Sequence, residues 1–384
     1  MNGNCSLDIW KSKIERLVED HPLQIISWEA TRKCNLRCKH CGSPSEEIKL
    51  IEELTTEEII GTFQQIEKNF DMSKFRHINI TGGEPFVKKD LLYILEKVSQ
   101  SPHYRNIDIQ TNGWILGENP SLIDDLKKFG VTGIGVSIDG FKEDHDSFRD
   151  LNGSYDLAVK AACEAVEKGM TVTVSTVAHR GNADKIPLLF EVMKKEVKPR
   201  IFRVMIVDPL GRAEENNIYL SHSQTKGIIS FLFNEYVANC GKYSDPKETM
   251  VELGCGGWLG RDLEGMTRPF IFHCIAGINN LGILYDGKLA ACSNISREFG
   301  FEGDLRKDKI KEVWDNKYQR YRNRNWLKQE ACKECNEWDY CRGGPMHKRL
   351  GNGTMLDCLY QTIFNKKDYR ESVPGRIFKI VAGN

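Results

Sequence analysis

The sequence predicts an α/β protein: a parallel sheet with crossover helices, open or partly closed, followed by a smaller cysteine-rich region. Three observations predict it. From residue 24 to about 206, short β-like runs alternate with longer helix-like ones. The thirteen cysteines fall mostly into two groups instead of spreading evenly. Beyond residue 250, regular periodicity fades into glycine- and cysteine-rich sequence, as expected where metals rather than a large core hold a fold.

The β-like runs are "LQIISWEA" (23–30), "RHINIT" (76–81), "NIDIQT" (106–111), "GIGVSI" (133–138), "TVTVSTVA" (171–178) and "RIFRVMIV" (200–207). Each is rich in Ile, Val or Phe and is bounded by Gly, Asn or Asp. Amphipathic segments lie between them, such as "TTEEIIGTFQQIEKNF" (55–70) and "SYDLAVKAACEAVEKG" (154–169). The "TTEE" at 55–58 is a helix start, with a threonine to cap and acids in the first turn. In sheets built this way the chemistry gathers at the carboxyl ends of the strands. The polar, turn-rich "DPLGRAEENN" (208–217) then marks a break, and "SQTKGIISFLFNEYVANCG" (223–241) reads as one helix.

The chain has 384 residues, with 54 basic and 54 acidic side chains. That length suits one large domain with a smaller one attached. The charge balance argues against binding nucleic acid or a membrane surface through bulk electrostatics. The first residues lack the apolar run of a signal peptide, and no stretch approaches the ~20 apolar residues that span a bilayer. A cytoplasmic protein is therefore expected, in a compartment where thiols stay reduced. Metal binding is then the leading reading of the grouped cysteines, while Cys5, Cys163 and Cys240 stand alone as inert or buried thiols.

"TRKCNLRCKHC" places Cys34, Cys38 and Cys41 directly after the first β-like run. A tetrahedral zinc site would want a fourth nearby ligand, and His40 is too close to Cys41 to complete a regular chelate with it. Three thiolates from one loop suit three irons of a [4Fe–4S] cluster, leaving the fourth iron open. Further elements follow in order: "GGEP" (82–85), "QTNG" (110–113), "SIDG" (137–140) and "HDSFR" (145–149), at or just beyond successive strand ends. Over roughly residues 24 to 210 this set resembles the radical S-adenosylmethionine (SAM) enzymes, whose signature is the Cys-x3-Cys-x2-Cys loop after the first strand. The resemblance implies a partial (β/α)6 parallel barrel, a SAM-binding cluster on Cys34, Cys38 and Cys41, and SAM contacts from Gly82, Gly83, Glu84, Pro85, Asn112, Ser137, Asp139 and Arg149. It implies main-chain groups of Gly82–Gly83 at the methionine amino group and Arg149 near the SAM carboxylate. Ser137 and Asp139 would lie close to the methionine or ribose. Gly42 stands where many members have an aromatic residue, which leaves one wall of the adenine pocket unassigned.

The later cysteines are Cys255, Cys274, Cys292, Cys332, Cys335, Cys341 and Cys358. Cys274, then Gly287-x4-Cys292, then "CKECNEWDYC" is similar to the SPASM extension of radical SAM enzymes, which carries two auxiliary [4Fe–4S] clusters. That likeness assigns Cys332, Cys335, Cys341 and Cys358 to one cluster. It assigns Cys274 and Cys292 to the other, with Cys255 in an upstream position. The remaining ligand of that second cluster should fall four residues after Cys341, at Pro345, which has no ligating side chain and no N–H. A zinc ribbon on the four later cysteines, a rearranged site using His347, and a single auxiliary cluster remain open alternatives. Cys255 in "GCGGW" would equally suit a buried thiol in a glycine turn. The expected division is an N-terminal extension (1–23), the barrel (24–210), a bridging helical segment (211–250), the SPASM-like domain (251–362) and a tail (363–384).

The resemblance implies reductive cleavage of SAM to a 5′-deoxyadenosyl radical, with an external electron donor such as flavodoxin or ferredoxin. The favoured expectation is oxidative modification of a ribosomally made peptide, with a C–S or C–C crosslink favoured by the missing ligand. The extension of about 23 residues is too short for a peptide-recognition domain, so the peptide would bind directly or through a separate protein. Ser293 after Cys292 disfavours the sulfatase-maturing branch, which typically has an acidic residue there. The alternatives are modification of a tetrapyrrole or small metabolite, and an iron–sulfur electron carrier. A carrier has no need of "GGEP" or Arg149.

Overall fold

The computed structural model describes residues 3–42, 52–297 and 300–364. The side chain of Cys5 and the tail beyond residue 364 lie outside the described residues. The six expected strands all form: β1 (Ile25–Glu29), β2 (His77–Thr81), β3 (Ile107–Thr111), β4 (Val131–Ser137), β5 (Thr171–Ala178) and β6 (Ile201–Ile206). They lie side by side in chain order, and every neighbouring pair is parallel. The helix Thr56–Asn69 starts as the sequence predicts. Thr55 accepts from the Glu58 N–H, and the Glu58 carboxylate accepts from the Thr55 N–H in return.

Period-two alternation gives the sheet two different faces. Ile26, Trp28, Ile78, Ile80, Ile107, Ile109, Ile134, Val136, Val172, Val174, Phe202 and Val204 are all buried and belong to one apolar core. Their neighbours along each strand include Ser27, Glu29, Asn79, Asp108, Gln110, Ser137, Ser175 and Arg203, which line the opposite face. A parallel sheet buried on both sides normally has two apolar faces. One polar face here means that the sheet curves around a space lined by hydrogen-bonding groups. Two glycines of β4 fit that lining. A Cβ on Gly133 would stand 2.0 Å from Asp108 Oδ1, and one on Gly135 would stand 2.1 Å from Gln110 Oε1.

The sheet does not end at the sixth strand. β7 (Met250–Leu253) continues it, parallel to β6. At the opposite edge β8 (Asn280–Ile283) lies parallel to β1, and β9 (Lys288–Ala290) and β10 (Gly303–Asp304) follow antiparallel. The complete sheet has ten strands in the order β10-β9-β8-β1-β2-β3-β4-β5-β6-β7. This corrects the expectation that metals rather than a core hold the region beyond 250. Trp258, Phe272, Leu281, Ile283, Leu289, Trp314, Tyr318, Leu327 and Met346 are buried in the same core as the barrel. The sequence signal failed because β8, β9 and β10 are only four, three and two residues long, too short to show a period. Gly287 makes the β8–β9 turn, at φ +84°, where an L side chain would be strained. The helix Gly3–Asp20 packs on the cysteine-rich region, with the Trp10 ring 6.0 Å from that of Trp258. Among the described residues no helix is long and apolar enough to cross a membrane.

Candidate active site

The motif residues stand at or just beyond the carboxyl ends of the strands. The loop after β1 carries Cys34, Cys38 and Cys41, with Cys38 buried and the other two half-buried. Neighbouring strand ends hold this loop in shape. Gly83 N–H donates to Thr31 O at 2.7 Å and Glu84 N–H to Lys33 O at 2.9 Å. That approach leaves no room for side chains, since a Cβ on either Gly82 or Gly83 would stand 2.3 Å from a loop carbonyl oxygen. The N–H groups of Gly83 and Glu84 are thus committed to the loop. Among the described residues no hydrogen bond ends on the Gly82 or Gly83 carbonyls, which are the groups a ligand ammonium would need.

Glu84 is buried and accepts from Thr111 Oγ1 at 2.8 Å and from the Asn112 N–H at 2.7 Å. Burial pushes its carboxyl up to about 7 against these hydrogen bonds. Asn112 reaches back to Asn35 Oδ1 at 2.8 Å, inside the cysteine loop. Pro85 opens the single 3-10 turn that follows, Pro85–Val87. Glu84 and Asn112 therefore join the ends of β2 and β3 to that loop. Ser137 closes β4, half-buried and level with Ser175 on β5.

Asp139 and Arg149 face one another. Arg149 Nε and Nη2 both lie 2.6 Å from Asp139 Oδ2, and both side chains are buried. Burial alone would raise the Asp139 carboxyl, but Arg149 outweighs it and holds the group at about 2. The remaining arm of Arg149, Nη1, points at Cys38 Sγ from 3.5 Å. Burial pushes the Cys38 thiol up, and the cation and N–H donor at its sulfur oppose that shift in favour of the thiolate, the form that binds iron. Around this pair stand His40, His145 and His179, which burial holds at about 3, 4 and 4, and therefore neutral. The His40 ring stacks on Phe148 at 4.8 Å, and Phe148 on His179 at 4.0 Å. With Gly42 giving no ring, the aromatic surface beside the loop comes from His40 and Phe148.

The segment read as a break, 208–217, is instead the loop after β6, and it clamps the cysteine loop. Arg212 N–H donates to Cys41 O at 3.0 Å and Arg212 Nε to Cys38 O at 2.8 Å, while Asn216 Nδ2 reaches Lys39 O at 3.0 Å. Gly211, at φ +55°, has its Cα where a Cβ would meet Cys41 O at 2.7 Å. The signal was available, because the stretch follows a strand of this sheet and so belongs at its carboxyl end.

The later cysteines gather in two places. Cys332, Cys335, Cys341 and Cys358 line one cavity of about 30 Å³. Arg349 Nη2 donates to Cys332 Sγ at 3.2 Å, as Arg149 does to Cys38. Burial pushes the Cys358 thiol up to about 12 and Cys341 well above its usual value. Cys255, which is exposed, follows β7 and lies close enough to buried Cys274 and half-buried Cys292 for both to act on it electrostatically. Among the described residues no three His, Cys, Asp or Glu side chains converge tightly enough for a single metal ion. Sulfurs that surround a space, in buried surroundings that disfavour free thiolates, fit a multi-iron cluster better than a zinc ribbon.

Asp208, His347, Lys348 and Asp357 form a partly buried network, of which the sequence singles out only His347. Asp208, just beyond β6, lies 3.2 Å from His347 Nε2 and 3.1 Å from Lys348 Nζ, and Lys348 also lies 2.8 Å from Asp357 Oδ2, next to Cys358. Burial would raise the Asp208 carboxyl, but Lys348 and His347 outweigh it and hold it well below the usual range.

An iron–sulfur enzyme that works at the strand ends of a partial parallel barrel is the class that this fold and site define. The chain belongs to the radical SAM superfamily, whose family model matches residues 28–191, and it carries a SPASM iron–sulfur cluster-binding domain, matched over 274–336. It is 27% identical over 344 residues to an Fe-coproporphyrin III synthase from Methanosarcina barkeri, covering 83% of this chain and 82% of that one. An AdoMet-dependent heme synthase from the same organism is 25% identical, over 88% of this chain and 97% of the other. A GTP 3′,8-cyclase from Moorella thermoacetica is 28% identical, over 72% and 83%. Among solved structures, anSMEcpe with bound AdoMet and Cp18Cys peptide shares the fold with a TM-score of 0.66 at 17% identity, covering 94% of this chain and all of that one. Streptococcus suis SuiB bound to S-adenosylmethionine does so at 0.66 and 16%, over 90% and 79%.

Proposed function

We propose that this radical SAM enzyme removes two hydrogens from a peptide, joining two of its atoms through a C–S or C–C bond: one would leave as a hydrogen atom to the 5′-deoxyadenosyl radical, the other as a proton whose electron an auxiliary cluster would take up. Cys34, Cys38 and Cys41 would hold the cluster that binds SAM. Cys332, Cys335, Cys341 and Cys358 would hold one auxiliary cluster, and Cys255, Cys274 and Cys292 another. When bound, the first cluster and SAM supply one electron, from a flavodoxin- or ferredoxin-like donor, and a 5′-deoxyadenosyl radical. The chain's own residues bind and orient. The Gly82 and Gly83 carbonyls accept the SAM ammonium, Ser137 meets the nucleoside, and the His40–Phe148 surface packs against its base. Arg149, held in place by Asp139, positions Cys38 and favours its thiolate. Glu84 and Asn112 fix the loop.

One observation carries the substrate reading. The space inside the sheet is lined by Asn79, Asp108, Gln110 and Ser175, and three arginines that border it are already paired: Arg203 with Glu252 at 2.6 Å, Arg297 with Glu29, and Arg149 with Asp139. Such a lining suits peptide amides and hydroxyls. A tetrapyrrole would bring several carboxylates and would want unpaired cations. The names of the coproporphyrin and heme synthases support the second reading, a tetrapyrrole substrate.

The test is an anaerobic reaction of reconstituted enzyme with SAM, a reductant and either a peptide encoded beside the gene or Fe-coproporphyrin III. The peptide reading expects loss of two hydrogens by mass spectrometry, matched to 5′-deoxyadenosine formed. Decarboxylation of the porphyrin with an untouched peptide overturns it in favour of the second reading.

A further inference from the structure

We propose that Asp208 supplies the fourth ligand, through a carboxylate oxygen, to the cluster held by Cys255, Cys274 and Cys292, where the sequence pattern's cysteine is replaced by Pro345. This rests on the reading that those three cysteines hold a cluster.

Position 345 lies between the two cysteine groups: its ring is 3.2 Å from where a Cβ on Gly257, two residues beyond Cys255, would be, and Gly257 and Pro345 both also line the cavity of Cys332, Cys335, Cys341 and Cys358. Arg324 ties the same corner to Cys274, with Nη1 3.3 Å from Gly344 O and Nη2 2.9 Å from Cys274 O. Proline offers no ligating side chain at this corner.

Asp208 reaches it from the other side. The β6–β7 register pairs Val204 with Leu253, and Gly254 N–H donates to Val204 O at 2.8 Å. Cys255 thus leaves the sheet level with Ile206, and Asp208 follows two residues further along the neighbouring chain. The carboxylate is close enough to act electrostatically on the Cys255 thiol. It is held by His347 and Lys348, the second and third residues after Pro345. Its Oδ1 is buried and accepts no well-aligned hydrogen bond, although Lys348 Nζ lies 3.1 Å away. With His347 at Oδ2 and Lys348 beside Oδ1, the carboxylate is held by outer contacts while Oδ1 keeps a lone pair that no aligned hydrogen bond uses, as in a ligand carboxylate. Iron accepts carboxylate oxygen alongside thiolates.

The test uses the full chain carrying Cys34→Ala, Cys38→Ala and Cys41→Ala, which removes the SAM-binding cluster and its open iron. Reconstituted anaerobically, this parent should hold about eight irons. Its reduced clusters should show no ¹³C hyperfine coupling after addition of ¹³C-cyanide. Asp208→Ala should keep the irons and gain that coupling, and Asp208→Cys should lose it again. If Asp208→Ala drops about four irons instead, Asp208→Cys should restore them. Coupling already present with Asp208 in place overturns the proposal. So do unchanged spectra in Asp208→Ala with a change in His347→Ala, or iron loss that Asp208→Cys does not restore. About four irons in the parent, with none lost in Cys274→Ala, would overturn the cluster assignment itself, a failure distinct from a wrong fourth ligand.

Discussion

Cys34, Cys38 and Cys41 leave one loop after β1, whereas Cys255, Cys274 and Cys292 reach their site from three segments spread over 38 residues and two edges of the sheet, after β7, before β8 and after β9. The first site is local and its shape is enforced from outside, by Gly83, Glu84, Arg212 and Asn216. The second is assembled by the fold, and its cysteines meet only because β7 extends one edge of the barrel sheet and β8 the other. A local site can be lost without the fold. A site assembled from distant segments depends on packing that the barrel shares.

The largest effect should come from breaking the local site. Cys38→Ala should abolish SAM cleavage and remove about four irons while leaving the auxiliary irons in place. Cys274→Ala should remove auxiliary irons, abolish product and still allow 5′-deoxyadenosine to form. Iron analysis with chromatographic assay of 5′-deoxyadenosine separates them. Loss of all iron in Cys38→Ala would mean that the two regions are not independent.

The pair beneath Cys38 gives the next effect. Arg149→Met leaves Asp139 buried and uncompensated, which costs on the order of 3–5 kcal/mol in urea denaturation of the apoprotein. Asp139 also makes stability depend on acid. Its carboxyl sits at about 2 in the fold against an ordinary value of 3.8, so its contribution is complete above 3.8 and is lost as pH falls towards 2. Asp139→Asn should flatten the stability profile across that window. An unchanged profile would show that other carboxylates dominate acid unfolding.

These two regions also differ in how far the sequence revealed them. The β/α alternation and the Cys-x3-Cys-x2-Cys spacing are local patterns, so the six strands and the first site were legible. The alternation within "RHINIT" and "NIDIQT" also encodes the polar face, through His77, Asn79, Asp108 and Gln110. The clamp by Arg212 and the Asp208–Lys348–Asp357 network were not legible. Arg212 and Cys38 are 174 residues apart and Asp208 and Lys348 about 140, and no local pattern encodes such pairs. Arg149 was found as a motif residue, but its partners Asp139 and Cys38 became clear only in three dimensions.

Gly83→Ala tests whether the local site is enforced from outside. Its Cβ would stand 2.3 Å from Lys33 O and 2.5 Å from Arg32 O, both backbone atoms that cannot rotate away. The loop must shift, at a cost of roughly 1–3 kcal/mol. Weaker SAM binding by isothermal titration should accompany a lower Tm, with the auxiliary-cluster spectra unchanged. Wild-type SAM affinity in the variant would show that the cysteine loop holds its own shape.

The smallest effect concerns what joins the two regions. Arg306, beyond β10, reaches across to Glu58 on the first barrel helix, with Nε 2.7 Å from Oε1. Both side chains are about one-third exposed, at 34% each. Water and salt screen such a pair, so Arg306→Ala should cost only ~0.2–1 kcal/mol, and less in high salt. The β1–β8 pairing has no such sensitivity, because its hydrogen bonds and the flanking Trp28, Leu281 and Ile283 are buried. If the sheet unites the regions, Arg306→Ala should leave a single cooperative unfolding transition by calorimetry at both low and high salt. Two resolved transitions in the variant would mean that surface ion pairs, rather than the shared sheet, couple the barrel to the cluster region.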